Sequence, residues 1–492
     1  MAGRNDLNKE RRTERMLQDP MAKILLRMAV PTIMSFLINA IYSLTDTYFV
    51  SALGTNATAA VNVNSSLDLL ILMLGSMLAV GAASFIARLL GSGDADKAGK
   101  VLSTAFFSAM AFGTVMLIAG EAFTYPLVRF LGATPTCERY AADYTCYLLL
   151  GAPFMPACFV MNHCLRSEGY AAYSMIGMCS SSILNCILDP IFIFALDMGI
   201  AGAAIATTIS KLFMFAILIA HYVTGRSEMK LSIRNYTFSR EIAASILSVG
   251  ASSFFRIGLD MLAAILLNRI AGTISDSVLA GVGVCTRIMT FPTGIMHGFC
   301  NGSQPVIGIN WGANRFGRVK EGCAFCQRTA VAVALVMTCG LLLTAKLLIS
   351  QFAGSDAEML RVGTMCVMFQ SAALPVYVWA SVVNMMCTAL GKGGYALLIA
   401  SSRSGICFIP ALFLLNHLFG VHGIASAQAV ADVLTLGFAV PIFLKLWNLI
   451  RQKKETAETG LNAVSGRTAE TGKLYTMNLD HLDISNDGED RR

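Results

Sequence analysis

Residues 189–206 read DPIFIFALDMGIAGAAIA, and residues 409–427 read IPALFLLNHLFGVHGIASA. In register, Pro190 falls on Pro410, Gly199 on Gly420 and Gly202 on Gly423. Each segment is an apolar run carrying a proline, then a glycine corner, then a second run of small apolar residues. A proline inside a helix removes an N–H donor and bends it, and a glycine admits backbone conformations closed to other residues. The two segments therefore read as one helical hairpin written twice, about 220 positions apart.

Working outward, the repeat extends. LRSEGY at 165–170 matches ALGKGGY at 389–395, Pro153 falls near Pro375, and GSGDADKAGK at 91–100 sits where WGANRFGRVK does at 311–320. The chain has 492 residues, of which 55% are hydrophobic and 14% charged, with mean hydropathy +0.63. Soluble domains carry about 25% charged residues. The apolar residues fall in blocks near the length of about 20 that crosses a bilayer as helix. Twelve spans are expected, at 21–50, 59–89, 101–120, 140–163, 171–194, 199–223, 241–270, 278–310, 322–343, 361–387, 394–415 and 421–448. This is an all-α membrane protein of two pseudo-symmetric six-helix lobes, over 21–223 and 241–448, joined by a linker over 224–240. Six spans per lobe give both lobes the same orientation, a parallel repeat, which places a ligand site at the interface between them.

Charge sets the orientation. Arg4, Lys9, Arg11, Arg12, Arg15, Lys23 and Arg27 precede or open the first span, and the even-numbered loops carry twelve further Lys or Arg against five in the odd-numbered loops. The positive-inside rule then puts both termini in the cytoplasm and the chain in the cell membrane. The net charge of +7 reflects this bias and needs no nucleic acid. No short apolar region with a cleavage site precedes the first span, so no removable signal is expected. Residues 1–20 form a polar cytoplasmic N-terminus, and the polar tail over 449–492, with TAETG twice, is expected to be disordered. The 14 cysteines lie mostly in apolar runs and read as small buried residues, and the lone CxxC of Cys323 and Cys326 has no second pair to complete a zinc site.

The polar residues inside spans carry the functional reading. An Asp at mid-membrane costs about 2.5–3.5 kcal/mol on insertion scales, so it marks function by default. Ser35, Asn39, Tyr42 and Asp46 form one stripe on the first span, and Ser182, Asn185 and Asp189 form another on the fifth. Thr207 and Thr208 lie on the sixth. These supply the hard oxygen ligands that Na⁺ accepts, or carboxylates that hold a proton. Asp189 maps to Ile409 in the repeat, and Asp46 to Ala264 or Ile265, so the cation site is expected in the first lobe alone. Arg256 and Asp260, four apart, are expected to neutralise each other, or to act on substrate or gating. Asp68 is expected to face the central cavity with Asn62 and Ser65, and Asp432 to pair with Arg403.

The stretches TDTYFVSALG at 45–54, LRSEGYAAYSM at 165–175, NCILDPIFIF and GIAGAAIATTIS within 185–210, and QPVIGINWGANRFGRV at 304–319 together resemble the multidrug and toxic compound extrusion (MATE) family. The resemblance covers about residues 20–448. It implies a V-shaped pair of lobes exchanging Na⁺ or H⁺ for small organic, often cationic, compounds. It also implies Asp46, Asn185, Asp189 and Thr207 as the cation site, holding Na⁺ if the protein is sodium-coupled, and Gln304 lies in the matching stretch of the second lobe. Cavity or gating roles are expected for Asn39, Tyr42, Asn62, Asp68, Arg256, Asp260 and Gln304. No cofactor beyond the coupling ion is expected, no enzymatic activity, and a monomer in the lipid bilayer. The rival reading, a lipid-linked oligosaccharide or polysaccharide flippase of the same superfamily, predicts a more cationic cavity; twelve spans and few intramembrane Lys or Arg weigh against it. An intramembrane enzyme is disfavoured by six scattered histidines.

Overall fold

The computed structural model describes residues 13–53, 55–131, 134, 137–354 and 356–479, without the side chains of 51, 55–59, 62 and 460–479. Among these residues there is helix and no strand. The first lobe runs α1 (Met21–Ser51), α2 (Thr55–Gly91), α3 (Ala95–Ala122), the two-part α4 (Glu138–Leu149 and Phe154–Ser167), α5 (Ala171–Pro190) and α6 (Gly199–Val223). The second runs α7 (Arg240–Ile274), α8 (Asp276–Gly312), α9 (Phe316–Ala353), α10 (Ala357–Ala389), the two-part α11 (Gly393–Ser401 and Phe408–Phe419) and α12 (Val421–Leu479). Eleven spans are long and apolar enough to cross a membrane, and the two parts of α4, bent by 50°, make the twelfth. This is a multi-pass membrane protein.

The repeat is carried by backbone geometry. Gly199 and Gly420 both sit at positive φ, +55° and +53°, where a Cβ is disfavoured. Three residues on, a Cβ at Gly202 would stand 2.6 Å from the carbonyl oxygen of Phe192, and one at Gly423 2.0 Å from that of Leu415. Each corner thus folds back so tightly that only glycine fits. Widened helical turns interrupt α5 at Ile191–Ala195, directly after Pro190, and α11 at Ser402–Ile406. Such turns aim side chains that a regular helix would not, and the one in α11 carries Arg403 and Ser404.

Both termini lie at one end of the bundle. Asn310 and Arg318 donate to the carbonyls of Met16 (3.1 Å) and Asp19 (2.7 Å), while Lys453 of α12 stands 5.5 Å over the Trp311 ring. From mid-span to this terminal end the lobes touch through glycines. A Cβ on Gly298 or Gly302 of α8 would stand 2.6 Å from the backbone of Ile33 or Ala29 of α1; one on Gly81 of α2 would stand 2.1 Å from Ile246 of α7, and one on Gly312 2.0 Å from Arg88. The seam is pinned by Ser84 of α2, which donates to the Thr388 carbonyl of α10 at 2.5 Å and accepts from Arg88 at 2.6 Å. The first turns of α1, with Leu25 and Met28, belong to the core of the second lobe, whereas Val50 at its far end belongs to the first. The linker docks on α3, where the Thr104 hydroxyl donates to the Thr237 carbonyl and accepts from its N–H, each at 3.2 Å.

One expectation differs. Of the tail over 449–492, expected to be disordered, residues 449–479 continue α12 as helix, and 480–492 lie outside the described residues. The segment has no apolar face to bury, but a helix needs none locally. Arg451–Glu455 (2.8 Å) and Lys454–Glu458 (3.5 Å) are opposite charges one turn apart, each adding about 0.2–0.5 kcal/mol to the helix where the tail begins.

Candidate ion and substrate sites

In the first lobe the two polar stripes meet as their spacing requires. Asn185, Asp189 and Thr207 are all buried. With its amide nitrogen turned to Asp189, Asn185 donates to Oδ2 at 2.8 Å, while its oxygen accepts from the Thr207 N–H (3.2 Å) and hydroxyl (3.3 Å). Every polar atom of the amide then has a suitable partner, which decides its orientation. Asp46 of α1 lies within electrostatic reach of Asp189. The Tyr42 phenol stands beside Thr207 and within reach of Asp46, Asp68 and Asp189. The structure therefore gathers Asp46, Asn185, Asp189 and Thr207 in one place, with Tyr42 and Asp68 around them. Among the described residues no three His, Cys, Asp or Glu side chains converge tightly enough to hold a metal ion. A cation here would be held by paired carboxylates with amide, hydroxyl and phenol oxygens, chemistry suited to Na⁺ or a proton rather than to a transition metal.

The second site is a cavity of about 440 Å³ between the lobes, in the range of small-molecule sites. Phe36 and Asn39 of α1, Ser76 of α2, Arg166 of α4 and Lys211 of α6 line one wall, and Arg256, Asp260, Gln304, Tyr377, Arg403 and Asp432 the other. Its terminal-end limit is the glycine seam, since Thr388 lines the cavity and accepts the Ser84 bond. The second-lobe wall is a connected charge network. Arg403 donates to Asp432 at 2.8 Å and lies 4.1 Å over the ring of Tyr377, and Gln428 donates to the same Asp432 oxygen at 3.3 Å. Tyr377 meets Nε2 of His297 at 3.3 Å. Ser404 donates to Asp260, whose other oxygen stands 3.6 Å from Arg256. The expected Arg256–Asp260 and Arg403–Asp432 pairs are both present.

Asn39, Gln304, Arg256 and Asp260 thus line the cavity. Asp68 does not stand among its lining residues; it belongs with Asp46, because it sits nearer the non-terminal end of α2 than Ser76 and Val80, which do line it. The side chain of Asn62 lies outside those described. Sequence reading passed over three residues. Tyr144 of α4 is buried within reach of Asp46, Asp68 and Asp189. Lys211 lies one turn after Thr207 on α6, so the same spacing rule that selected the stripes would have found it. Arg166, at the end of α4, is buried and lines the cavity. Arg166 and Lys211 thus join Arg256 and Arg403 as cations lining the cavity.

The sequence matches the MatE family twice, over residues 31–191 and 253–414, one match in each lobe. The chain belongs to the MatE family. Among MatE relatives, multidrug export protein MepA of Staphylococcus aureus (strain MSSA476) is 26% identical over 426 residues, covering 85% of this chain and 92% of that protein. MepA of Staphylococcus saprophyticus is 27% identical over 438 residues, covering 89% and 96%. In fold, the chain is similar to a structure described as the outward-facing conformation of a multidrug resistance MATE family transporter, with TM-score 0.83 and 24% identity over 90% of this chain and 98% of that one. A MATE structure in complex with MaL6 aligns with TM-score 0.84 at 24% identity, over 90% and 99%. The MatE lobes are thus built on a known transporter plan.

Proposed function

We propose that this chain is a multidrug efflux transporter that exports small organic compounds in exchange for Na⁺ or H⁺ by alternating access. The observation that carries the reading is a cavity of drug size between two lobes, beside a first-lobe cluster of carboxylates with no ion-pair partner among the described residues. A cation drawn to Asp46 and Asp189 competes with the hydrogen bond that Asn185 gives Asp189. A proton acts at the same place by changing the carboxylate from an acceptor to a donor. Either event alters how α1, α5 and α6 hold together, and α1 also reaches across into the second lobe's core. A ligand shifts such an equilibrium only by its different affinity for the two states. Both termini face the cytoplasm, by the distribution of Lys and Arg, so the glycine seam closes the inner side. Asp46, Asn185, Asp189 and Thr207 are the coupling residues; no cofactor is required and the chain works as a monomer without catalysing a reaction.

The test is efflux from cells expressing the protein, with Na⁺ and pH gradients imposed separately and ethidium, rhodamine 123, rhodamine 110 and fluorescein as cargo. Efflux of any of them driven by either gradient, and lost in Asp46→Asn, is the expected result. No efflux under either gradient would move the reading to a lipid-linked oligosaccharide flippase of the same superfamily, a second reading favoured by the four cations in the cavity.

A further inference from the structure

The cavity holds more positive than negative charge, and its cations are unequally satisfied. Of its carboxylates, Asp432 is taken by Arg403 at 2.8 Å, and Asp260 is shared between Ser404 and a looser contact with Arg256 at 3.6 Å. Arg166 and Lys211 have no carboxylate within ion-pair distance among the described residues. Arg166 is held by Asn162 and by Ser174 at 3.2 Å, which fixes its guanidinium in the wall. Lys211 stands 5.8 Å from the Tyr42 ring centre and feels Asp46 and Asp68 only at a distance. The histidines of the lining, His163 and His297, add no negative charge.

Arg166, which is buried, has no carboxylate to offset its desolvation, and an organic cation entering beside the four cations adds repulsion. An anionic group reverses both effects, and the guanidinium of Arg256, only loosely held, is free to take a carboxylate in bidentate fashion. Phe36, Phe159, Met178, Met214 and Met385 supply an adaptable apolar surface for the rest of such a molecule. We propose that the cargo is a drug-sized amphiphile bearing a carboxylate, as an anion or a zwitterion, with that group held by Lys211 from the first lobe and Arg256 from the second. This deepens the exporter reading and rests on it. It also places Lys211 in both neighbourhoods, within electrostatic reach of Asp46 and Asp68 and on the cavity wall, so the charge state of the cluster is felt by the cargo.

Rhodamine 110 and its methyl ester rhodamine 123 test this, because they differ only in whether the carboxylate is free. Fluorescence anisotropy on the detergent-purified chain, with no gradient, is expected to show rhodamine 110 bound about ten-fold tighter, the effect of one charge-assisted contact. The ratio should fall to about one in Lys211→Met/Arg256→Gln. Equal or tighter binding of rhodamine 123 by the wild-type chain overturns the proposal whether or not the variant folds, as does an unchanged ratio in a variant whose Tm and elution match wild type. Farnesyl phosphate is the competing source of anionic charge. Its failure to displace rhodamine 110 supports a carboxylate cargo, and binding tighter than rhodamine 110 overturns that in favour of a prenyl-linked phosphate. Gradient-driven export of rhodamine 123 without preference for rhodamine 110 in binding sinks this inference and leaves the exporter standing. Preferred binding of rhodamine 110, with no gradient-driven export of any dye, does the reverse.

Discussion

The two lobes share a backbone and differ in what they do with charge. The first gathers Asp46, Asp68 and Asp189 around Tyr42, Tyr144 and Thr207, with no Arg or Lys within ion-pair distance of those carboxylates among the described residues. The second spreads its acids along the cavity wall and gives each a cationic neighbour, Asp260 with Arg256 and Asp432 with Arg403. Unpaired carboxylates in a membrane are unstable without a cation from outside, whereas paired ones are complete. In the proposed exchange, the first lobe is the one that responds to ions and the second remains constant while it does so.

The largest expected effect breaks this comparison at its centre. Asp46→Asn or Asp189→Asn should abolish the response of efflux to an imposed gradient, while Asp260→Asn should preserve that response and alter only which dyes are carried. Gradient-driven dye efflux from cells checks it, and loss in all three would mean that both lobes are energised. Next, Arg403→Leu strands the buried Asp432 and should destabilise the protein by about 3–5 kcal/mol. The double variant Arg403→Leu/Asp432→Leu should recover most of that, read as thermal unfolding in detergent; no recovery would show that the cation's contact with Tyr377 matters more than the pair. A smaller and symmetric effect tests the shared backbone. Gly199→Ala and Gly420→Ala each place a Cβ at positive φ and should each cost about 1–2 kcal/mol, with clearly unequal costs speaking against equivalent corners.

The smallest effect lies outside the spans, at Glu168 beyond α4. It is buried, accepting from the Ser227 hydroxyl at 2.6 Å and the Glu228 N–H at 3.3 Å, and burial pushes its carboxyl up to about 8. A carboxyl raised in the folded state binds more protons there than when unfolded, so its contribution to stability falls as pH rises from its ordinary range of about 4.3 through 8. Glu168→Gln should thus raise Tm at pH 8.5 and leave it nearly unchanged at pH 5. Lys392 occupies the corresponding stretch of the second lobe and is exposed, so no matching pH dependence is expected there.

The spans, their count and the doubling were legible because each follows from a local regularity: apolar blocks of membrane length, and prolines and glycines at a fixed offset. The gathering of the first-lobe carboxylates was legible for the same reason, since positions three and four apart must share a helix face. Asp68 and the tail were misplaced on different grounds. The depth of Asp68 depends on how far α2 extends beyond its apolar block, and the tail's helix begins with local charge pairs rather than burial. Arg166 was missed because cations near span ends ordinarily belong to the loops, whereas Lys211 stands at the middle of α6, one turn from Thr207, within reach of the spacing rule. Only the assembled bundle shows that Arg166 points inward, where long side chains usually reach outward to the interface.

The glycine seam has a consequence for how the protein changes state. At Gly298 against Ile33, or Gly312 against Arg88, one helix backbone rests on another with only hydrogen atoms between. Attraction of that kind is dispersion, which loses a quarter to a half of its strength when surfaces part by roughly 0.5–1 Å. A gate held by long side chains yields gradually, each one stretching before it lets go. Apart from the hydrogen bonds at Ser84, this one has almost no reach, so half-open positions have little to hold them. The seam is accordingly expected to behave as a latch, dwelling at its two extremes and crossing quickly between them.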